Sequence, residues 1–120
     1  MGNAKSLGDW GEAQAARYLQ GKGFRLLERN YRCPYGEIDL IAEDGTYLVF
    51  AEVKLRTSVR YGTPEEAVTP RKQMRLRQTA LQYLSDHETA LQPRFDVIAI
   101  YAHHGKETTP LPITHIENAF

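Results

Sequence analysis

The stretch GEIDLIAEDGTYLVFAEVKLR, residues 36–56, decides the fold. Asp44-Gly45 inside it is a strong two-residue hairpin signal, because both central positions of the favoured turn need φ > 0. On either side the residues alternate with period two, as strands do. Pairing outward from Glu43 and Thr46 sets Asp39 opposite Phe50 and Glu37 opposite Glu52. Directly paired residues share a face, and so do residues two apart. The reading therefore collects Glu37, Asp39, Glu52 and Lys54 on one face. Asp39 and Glu52 become diagonal neighbours, about 7–8 Å apart at Cα. A slip of one residue would send Asp39 to the opposite face.

The rest of the hairpin is apolar: Ile38, Leu40, Ile41, Leu48, Val49, Phe50, Ala51 and Val53. Such a strand pair is expected to be covered on both faces. Acids there need partners, since an unpaired buried charge is very unfavourable. A hard divalent cation is one partner, because it takes carboxylate oxygens. Lys54 is another, in a purely structural Glu52–Lys54 ion pair. A hairpin edge whose acidic face is simply wet is the third reading.

Charge is zero in total and uneven in detail. Lys and Arg number 15, as do Asp and Glu, which excludes a bulk polycation of the histone-like kind. Residues 17–32 nevertheless carry five bases against Glu28, residues 37–52 five acids and no base, and residues 54–77 seven bases against Glu65 and Glu66. An acidic centre between basic stretches suits a metal site working on a polyanion; solvated helix faces are the simpler account of any one cluster. Cys33 is the only cysteine, so no internal disulfide forms and a reducing compartment is expected. No apolar run of membrane-spanning length and no signal-peptide pattern stands in the sequence, so a soluble cytoplasmic protein of one domain, residues 1–120, is expected. No G-x-x-x-x-G-K-[ST] is present, so no nucleotide cofactor is expected.

Taken in order, Ser6 to Asp9 has the spacing of a capping box, and the helix it opens should run to about Gln20 and stop at Gly21-Lys22-Gly23. Leu7, Trp10, Ala15, Tyr18 and Leu19 form its core stripe, with Glu12 at the edge. Residues 24–31 read as a strand, 32–36 as the connection to the hairpin, and 57–62, with Arg60 and Tyr61, as a loop placed for substrate contacts. Thr63-Pro64-Glu65-Glu66 is another capping box, cut short when Thr69-Pro70 starts a long helix ending near Ser85. Its apolar stripe reads as Met74, Leu81 and Leu84. Arg71, Lys72 and Arg75 crowd its first turns against the macrodipole, a pattern suited to an external anion. Residues 94–101 read as a buried strand parallel to 49–55. His103-His104-Gly105-Lys106 reads as a loop, His87 and His115 as surface residues, and 110–116 as a short edge strand. The expected fold is α/β, a central mixed β-sheet flanked by helices in the order αβββαβ.

Asp39, followed after a hairpin by Glu52-Val53-Lys54, resembles the D…(D/E)-x-K signature of restriction-endonuclease-like nucleases. Together with Gly8, Gly11 and Glu12 on the first helix, GEIDLIA, FAEVKLR and Arg94-Phe95-Asp96-Val97, it resembles the YraN-like family of bacterial proteins, itself similar to archaeal Holliday-junction resolvases. The resemblance covers nearly the whole chain. It implies a metal-dependent endonuclease acting on branched or structured DNA, or a nuclease-fold module that binds nucleic acid or a partner without turnover. It implies that Asp39 and Glu52 hold Mg²⁺ or Mn²⁺ with the Val53 carbonyl, and that Glu12 completes the site directly or through water. Lys54 would orient or deprotonate the attacking water. Arg56, with Arg71, Lys72 and Arg75, would grip flanking phosphates. A homodimer is implied by the same likeness. Two departures stand out: Ile38 replaces the Pro of the broader signature, and Tyr83 lies one place too far from Gln78 for the Gln-x-x-x-Tyr helix motif of the RecB-type branch.

Overall fold

The structure, a computed structural model, describes residues 4–56, 63–101 and 113–120. The expected substrate loop at 57–62 and the loop around His103 and His104 lie outside the described residues. The elements are α1 (Ala4–Gly21), β1 (Arg25–Cys33), β2 (Gly36–Glu43), β3 (Tyr47–Arg56), a 3₁₀ turn (Glu65–Ala67), α2 (Pro70–Asp86), β4 (Gln92–Tyr101) and β5 (Ile113–Ile116). This is the expected mixed α/β order αβββαβ, followed by an edge strand that falls within the 110–116 expected for it. The sheet runs β1-β2-β3-β4-β5. β4 lies parallel to β3 and the other neighbours pair antiparallel. The order follows from the chain: three meandering strands need only tight turns, while the parallel step needs the long crossover that α2 supplies.

Alternation along the strands divides the core in two. Leu40, Ala42, Val49, Ala51, Ile98 and Ile100 pack with Ala15, Ala16 and Leu19 of α1. Ile41, Leu48, Phe50, Phe95 and Val97 pack with Leu76, Ala80 and Tyr83 of α2. The helices therefore cover opposite faces of one sheet. Ile38 breaks the pattern, since it joins Ile41 on the α2 side although an odd spacing separates them. Asn30, which the β1 register would set opposite Asp39, takes φ +55°. The strand is irregular at the residue that carries the first candidate ligand.

Several local expectations change. α1 begins at Ala4, so Ser6 falls inside the helix and is not its N-cap. The box at Thr63 forms as read: Glu66 N–H donates to Thr63 Oγ1 (3.3 Å) and Thr63 N–H to Glu66 Oε1 (2.6 Å). Thr69 caps α2 by accepting from the Lys72 N–H at 3.3 Å. The buried stripe of α2 is Leu76, Thr79, Ala80 and Tyr83, whereas Met74 and Leu81 are 63% and 66% exposed. Thr79 can sit in that stripe because its hydroxyl donates to the Arg75 carbonyl at 2.8 Å. The connection of β1 to β2 is only Pro34-Tyr35, with Cys33 paired to Gly36. Gly36 has φ +153°, and a Cβ there would stand 3.1 Å from Thr79 Oγ1, so this turn and α2 are in direct contact.

The hairpin pairs as Leu40–Ala51, Ile41–Phe50, Ala42–Val49 and Glu43–Leu48. The register is two residues from the one expected, because the turn centres on Gly45-Thr46 rather than Asp44-Gly45. Gly45 takes φ +94°, and Asp44 Oδ1 accepts from the N–H groups of Thr46 (2.9 Å) and Tyr47 (2.8 Å). An acid that caps its own turn sits best just outside the two central residues. Since the shift is even, every face assignment survives.

Candidate functional site

Extended one step beyond Leu40–Ala51, the corrected register would set Asp39 across from Glu52. The ladder does not continue there. Instead Asp39 Oδ2 accepts the Val53 N–H at 2.8 Å, so a carboxylate replaces the backbone partner that this donor would otherwise lack. Asp39 and Glu52 line one open pocket of about 490 Å³ together with Gly36, Glu37, Thr69, Arg71, Lys72, Arg75 and Leu76. The first turns of α2 thus form one wall, with the Thr69 cap at its start.

Glu52 is only 7% exposed. Two ammonium groups meet its Oε2: Lys54 Nζ at 3.4 Å and Lys72 Nζ in closer contact. The expected Glu52–Lys54 pair exists, but the tighter partner comes from α2, twenty residues away in sequence. Burial lowers the Lys54 pKa, helped by Lys72 beside it and opposed by Glu52. For Lys72, burial acts in the lowering direction, yet the contact with Glu52 outweighs it and the pKa is raised. Glu37 is held on the rim by Arg32 at 2.9 Å.

Glu12 approaches from the other face. A Cβ at Gly11 would stand 3.8 Å from Leu55, so this turn of α1 lies directly on β3. Glu12 Oε1 is buried and has no hydrogen-bond partner among the described residues. Its charge is felt at Asp39. Burial, then the charge of Glu52, push the Asp39 carboxyl up to about 7, with Glu12 and Glu37 adding to them and the Val53 N–H acting against them. Asp39, Glu52 and Glu12 offer oxygen donors of the kind a hard divalent cation takes. In the geometry described, Glu52 is engaged by lysines, and no three acidic, His or Cys groups among the described residues are gathered around one point.

The raised Asp39 pKa has a pH consequence. The folded chain holds a proton that the unfolded chain releases near pH 4, so the associated stability is complete below that pH and is lost as pH rises through about 7. Asp39→Asn keeps an acceptor for the Val53 N–H without the charge. Its melting temperature is expected to exceed the wild type's at pH 8, by about 4 °C per kcal/mol regained, with the gap closing toward pH 4. Thermal melts across that range check this; a gap that grows in acid would contradict it.

Of the residues expected to act, Asp39, Glu52, Arg71, Lys72 and Arg75 share the pocket, Lys54 touches Glu52, and Glu12, outside the pocket lining, acts on Asp39 through its charge. Arg56 lies on β3 beyond Lys54 but is not part of the pocket wall. Arg77 turns elsewhere, over the rings of Phe95 (5.1 Å) and Phe120 (5.5 Å). His115 is not a surface residue: its side chain is 3% exposed and its Nε2 lies 2.7 Å from Asp96 Oδ2. Sequence reading missed that cluster, and also missed Lys72 as the counter-ion of Glu52.

Fold and site together define a mixed α/β protein with a close acidic pair set under the basic start of a helix. The chain belongs to the uncharacterised protein family UPF0102, which it matches over residues 11–100. It is 47% identical over 117 residues to a UPF0102 protein of Syntrophomonas wolfei, covering 97% of this chain and 98% of that one. Similarity to the UPF0102 proteins of Pelotomaculum thermopropionicum (48% over 117 residues, 97% and 96% covered) and Rhodococcus opacus (46% over 121 residues, both chains covered in full) is as extensive. No helix among the described residues is long and apolar enough to cross a membrane.

Proposed function

We propose that the protein is a restriction-endonuclease-like, Mg²⁺- or Mn²⁺-dependent endonuclease that hydrolyses phosphodiester bonds in branched or structured DNA. The observation that carries this reading is the meeting of Asp39 and Glu52 in one pocket with Arg71, Lys72 and Arg75, and with the unpartnered Glu12 Oε1 behind them. Asp39, Glu52 and Glu12 would hold the cation, which supplies charge neutralisation at the phosphate and acidification of water. Asp39 is pre-oriented by the Val53 N–H. Lys54, half-buried beside Glu52 with a lowered pKa, is placed to orient the attacking water or accept its proton. Arg71 and Arg75 are exposed on the pocket wall, where they can grip phosphates on either side of the scissile bond.

One observation favours a second reading, a nuclease-fold module that binds nucleic acid without turnover. Glu52 already has two ammonium partners, so the acids also make sense as internal counter-ions of a phosphate-binding wall. Mn²⁺ soaked into crystals separates the two. The nuclease reading expects anomalous density between Asp39 and Glu52; a fully formed crystal that takes up Mn²⁺ only elsewhere favours the binding module.

A further inference from the structure

We infer that Lys72 is an exchangeable counter-ion: it holds Glu52 when no divalent cation is bound, and passes to a substrate phosphate when a cation takes that carboxylate. The inference rests on the nuclease reading and adds to it a coupling between metal and nucleic acid.

The two lysines on Glu52 are held differently. Lys54 rises from the same strand two residues away, and its side chain is 22% exposed. Its direction is set by β3. Lys72 comes from the first turn of α2, is 40% exposed, and belongs to the pocket wall with Arg71 and Arg75. Its backbone is fixed, since its N–H donates to the Thr69 cap. Its ammonium is a compact charge on a long flexible stem. Lys72 is therefore the partner free to swing out toward the pocket.

Glu52 Oε2 already carries two ammonium groups, so a divalent cation arriving there competes most directly with the closer one, Lys72. Both need the same lone pairs, and like charges at contact distance repel strongly in a half-buried setting. Once displaced, Lys72 finds the other acids among the described residues of the pocket wall already engaged. Glu37 is tied to Arg32, and Asp39 is engaged with Val53 and would itself bind the cation. The anion that then satisfies Lys72 is a phosphate lying across Arg71 and Arg75. Cation binding thus releases one positive charge toward the substrate, and by linkage substrate binding helps the cation in. Without metal, Lys72 neutralises Glu52 and the wall presents one charge fewer. The arrangement avoids tight, unproductive binding of nucleic acid by the metal-free protein.

The test uses the full chain with Lys72→Met and Lys72→Arg, each checked for a wild-type thermal melt. Mn²⁺ affinity is measured by calorimetry without DNA. Lys72→Met removes the competitor, so Mn²⁺ should bind roughly five-fold or more tightly, while Lys72→Arg stays near wild type. In a second arm, the affinity for a branched DNA is measured with and without Ca²⁺, which avoids turnover. The divalent ion should tighten binding in the wild type and do so markedly less in Lys72→Met. Equal or weaker Mn²⁺ binding by Lys72→Met, or an unchanged Ca²⁺ effect on DNA, overturns the inference. If neither wild type nor Lys72→Met binds Mn²⁺, the metal reading falls and takes this one with it. Tighter Mn²⁺ binding and a Lys72-dependent Ca²⁺ effect without DNA cleavage would uphold the exchange and retire only the activity.

Discussion

Asp39→Asn and Glu52→Gln are each expected to reduce Mn²⁺-dependent cleavage of a branched DNA by a factor on the order of 10²–10³ or more, while leaving the protein folded and able to bind. The size follows from what each acid does. In the proposed mechanism the phosphodiester's charge must be neutralised and water made nucleophilic at one point, and losing a ligand removes both effects together. Folding should survive for a separate reason. Asp39 carries an unfavourable burial and a neighbouring like charge, so the amide relieves repulsion while still accepting from Val53. Glu52→Gln leaves Lys72 without its closest partner, but that side chain is 40% exposed and can reach water. Binding should even tighten slightly, since a negative charge leaves the wall that the proposed function assigns to phosphate. Cleavage by both variants at the wild-type rate would remove the catalytic assignment. A wild type that binds DNA with a steep loss of affinity on adding salt, yet never cuts, would move the protein to the binding-module reading.

The hairpin shows how much of this was legible in the sequence. Alternation through Asp39–Glu43 and Leu48–Val53, which Ile38 departs from, is strong enough to give both strands and the shared face of Asp39, Glu52 and Lys54. The register was misjudged by two because Asp44 was counted as a turn residue, whereas it caps the turn from outside. Period-two logic forgives an even error and would not have forgiven an odd one. On α2, hydrophobicity picked Met74 and Leu81, which face outward; the true stripe includes Thr79, whose polarity hides its burial until its bond to the Arg75 carbonyl is seen. The basic start of α2 was legible as an anion-seeking pattern. That Lys72 leans on Glu52 was not, because nothing local in either segment fixes how the helix crosses the sheet. Likewise the pairing of β5 with β4 sets His115 opposite Ile98, and only that pairing shows why His115 is not on the surface.

Asp96→Ala is expected to destabilise the protein by about 3–5 kcal/mol, which lowers the melting temperature by about 10–20 °C for a chain of this size. Asp96 is fully buried on β4 and faces the α1 side of the sheet. Burial by itself would raise its pKa, but hydrogen bonds from His115, Arg94 and the Asn118 N–H outweigh it and hold the carboxylate ionised. Arg94 donates from Nε and Nη2, each at 2.9 Å, His115 Nε2 lies at 2.7 Å and the Asn118 N–H donates at 3.0 Å. His115 Nδ1 in turn faces Lys22 Nζ at 3.2 Å and the Tyr18 hydroxyl at 3.4 Å. One carboxylate thus ties β4 to β5, to the residues after it and, through His115, to the end of α1. Removing it leaves Arg94, whose side chain is 10% exposed, with only the more distant and exposed Glu117 carboxylate at 4.0 Å. The effect should be largest at neutral pH and shrink in acid, because a carboxylate with a lowered folded pKa contributes stability above its unfolded pKa and loses it as pH falls. Asp96→Asn, which keeps the shape and part of the hydrogen bonding, should lose less. Circular-dichroism melts at pH 7 and well below pH 3.8 measure all of this. A shift of under about 3 °C at pH 7 would mean that the network is dispensable, and that β5 and the chain end are held by Ile116, Ala119 and Phe120 packing against Phe95 and its neighbours instead. DNA binding by whatever fraction of Asp96→Ala remains folded should match the wild type, since the acids and bases of the pocket lie on the other face of the sheet.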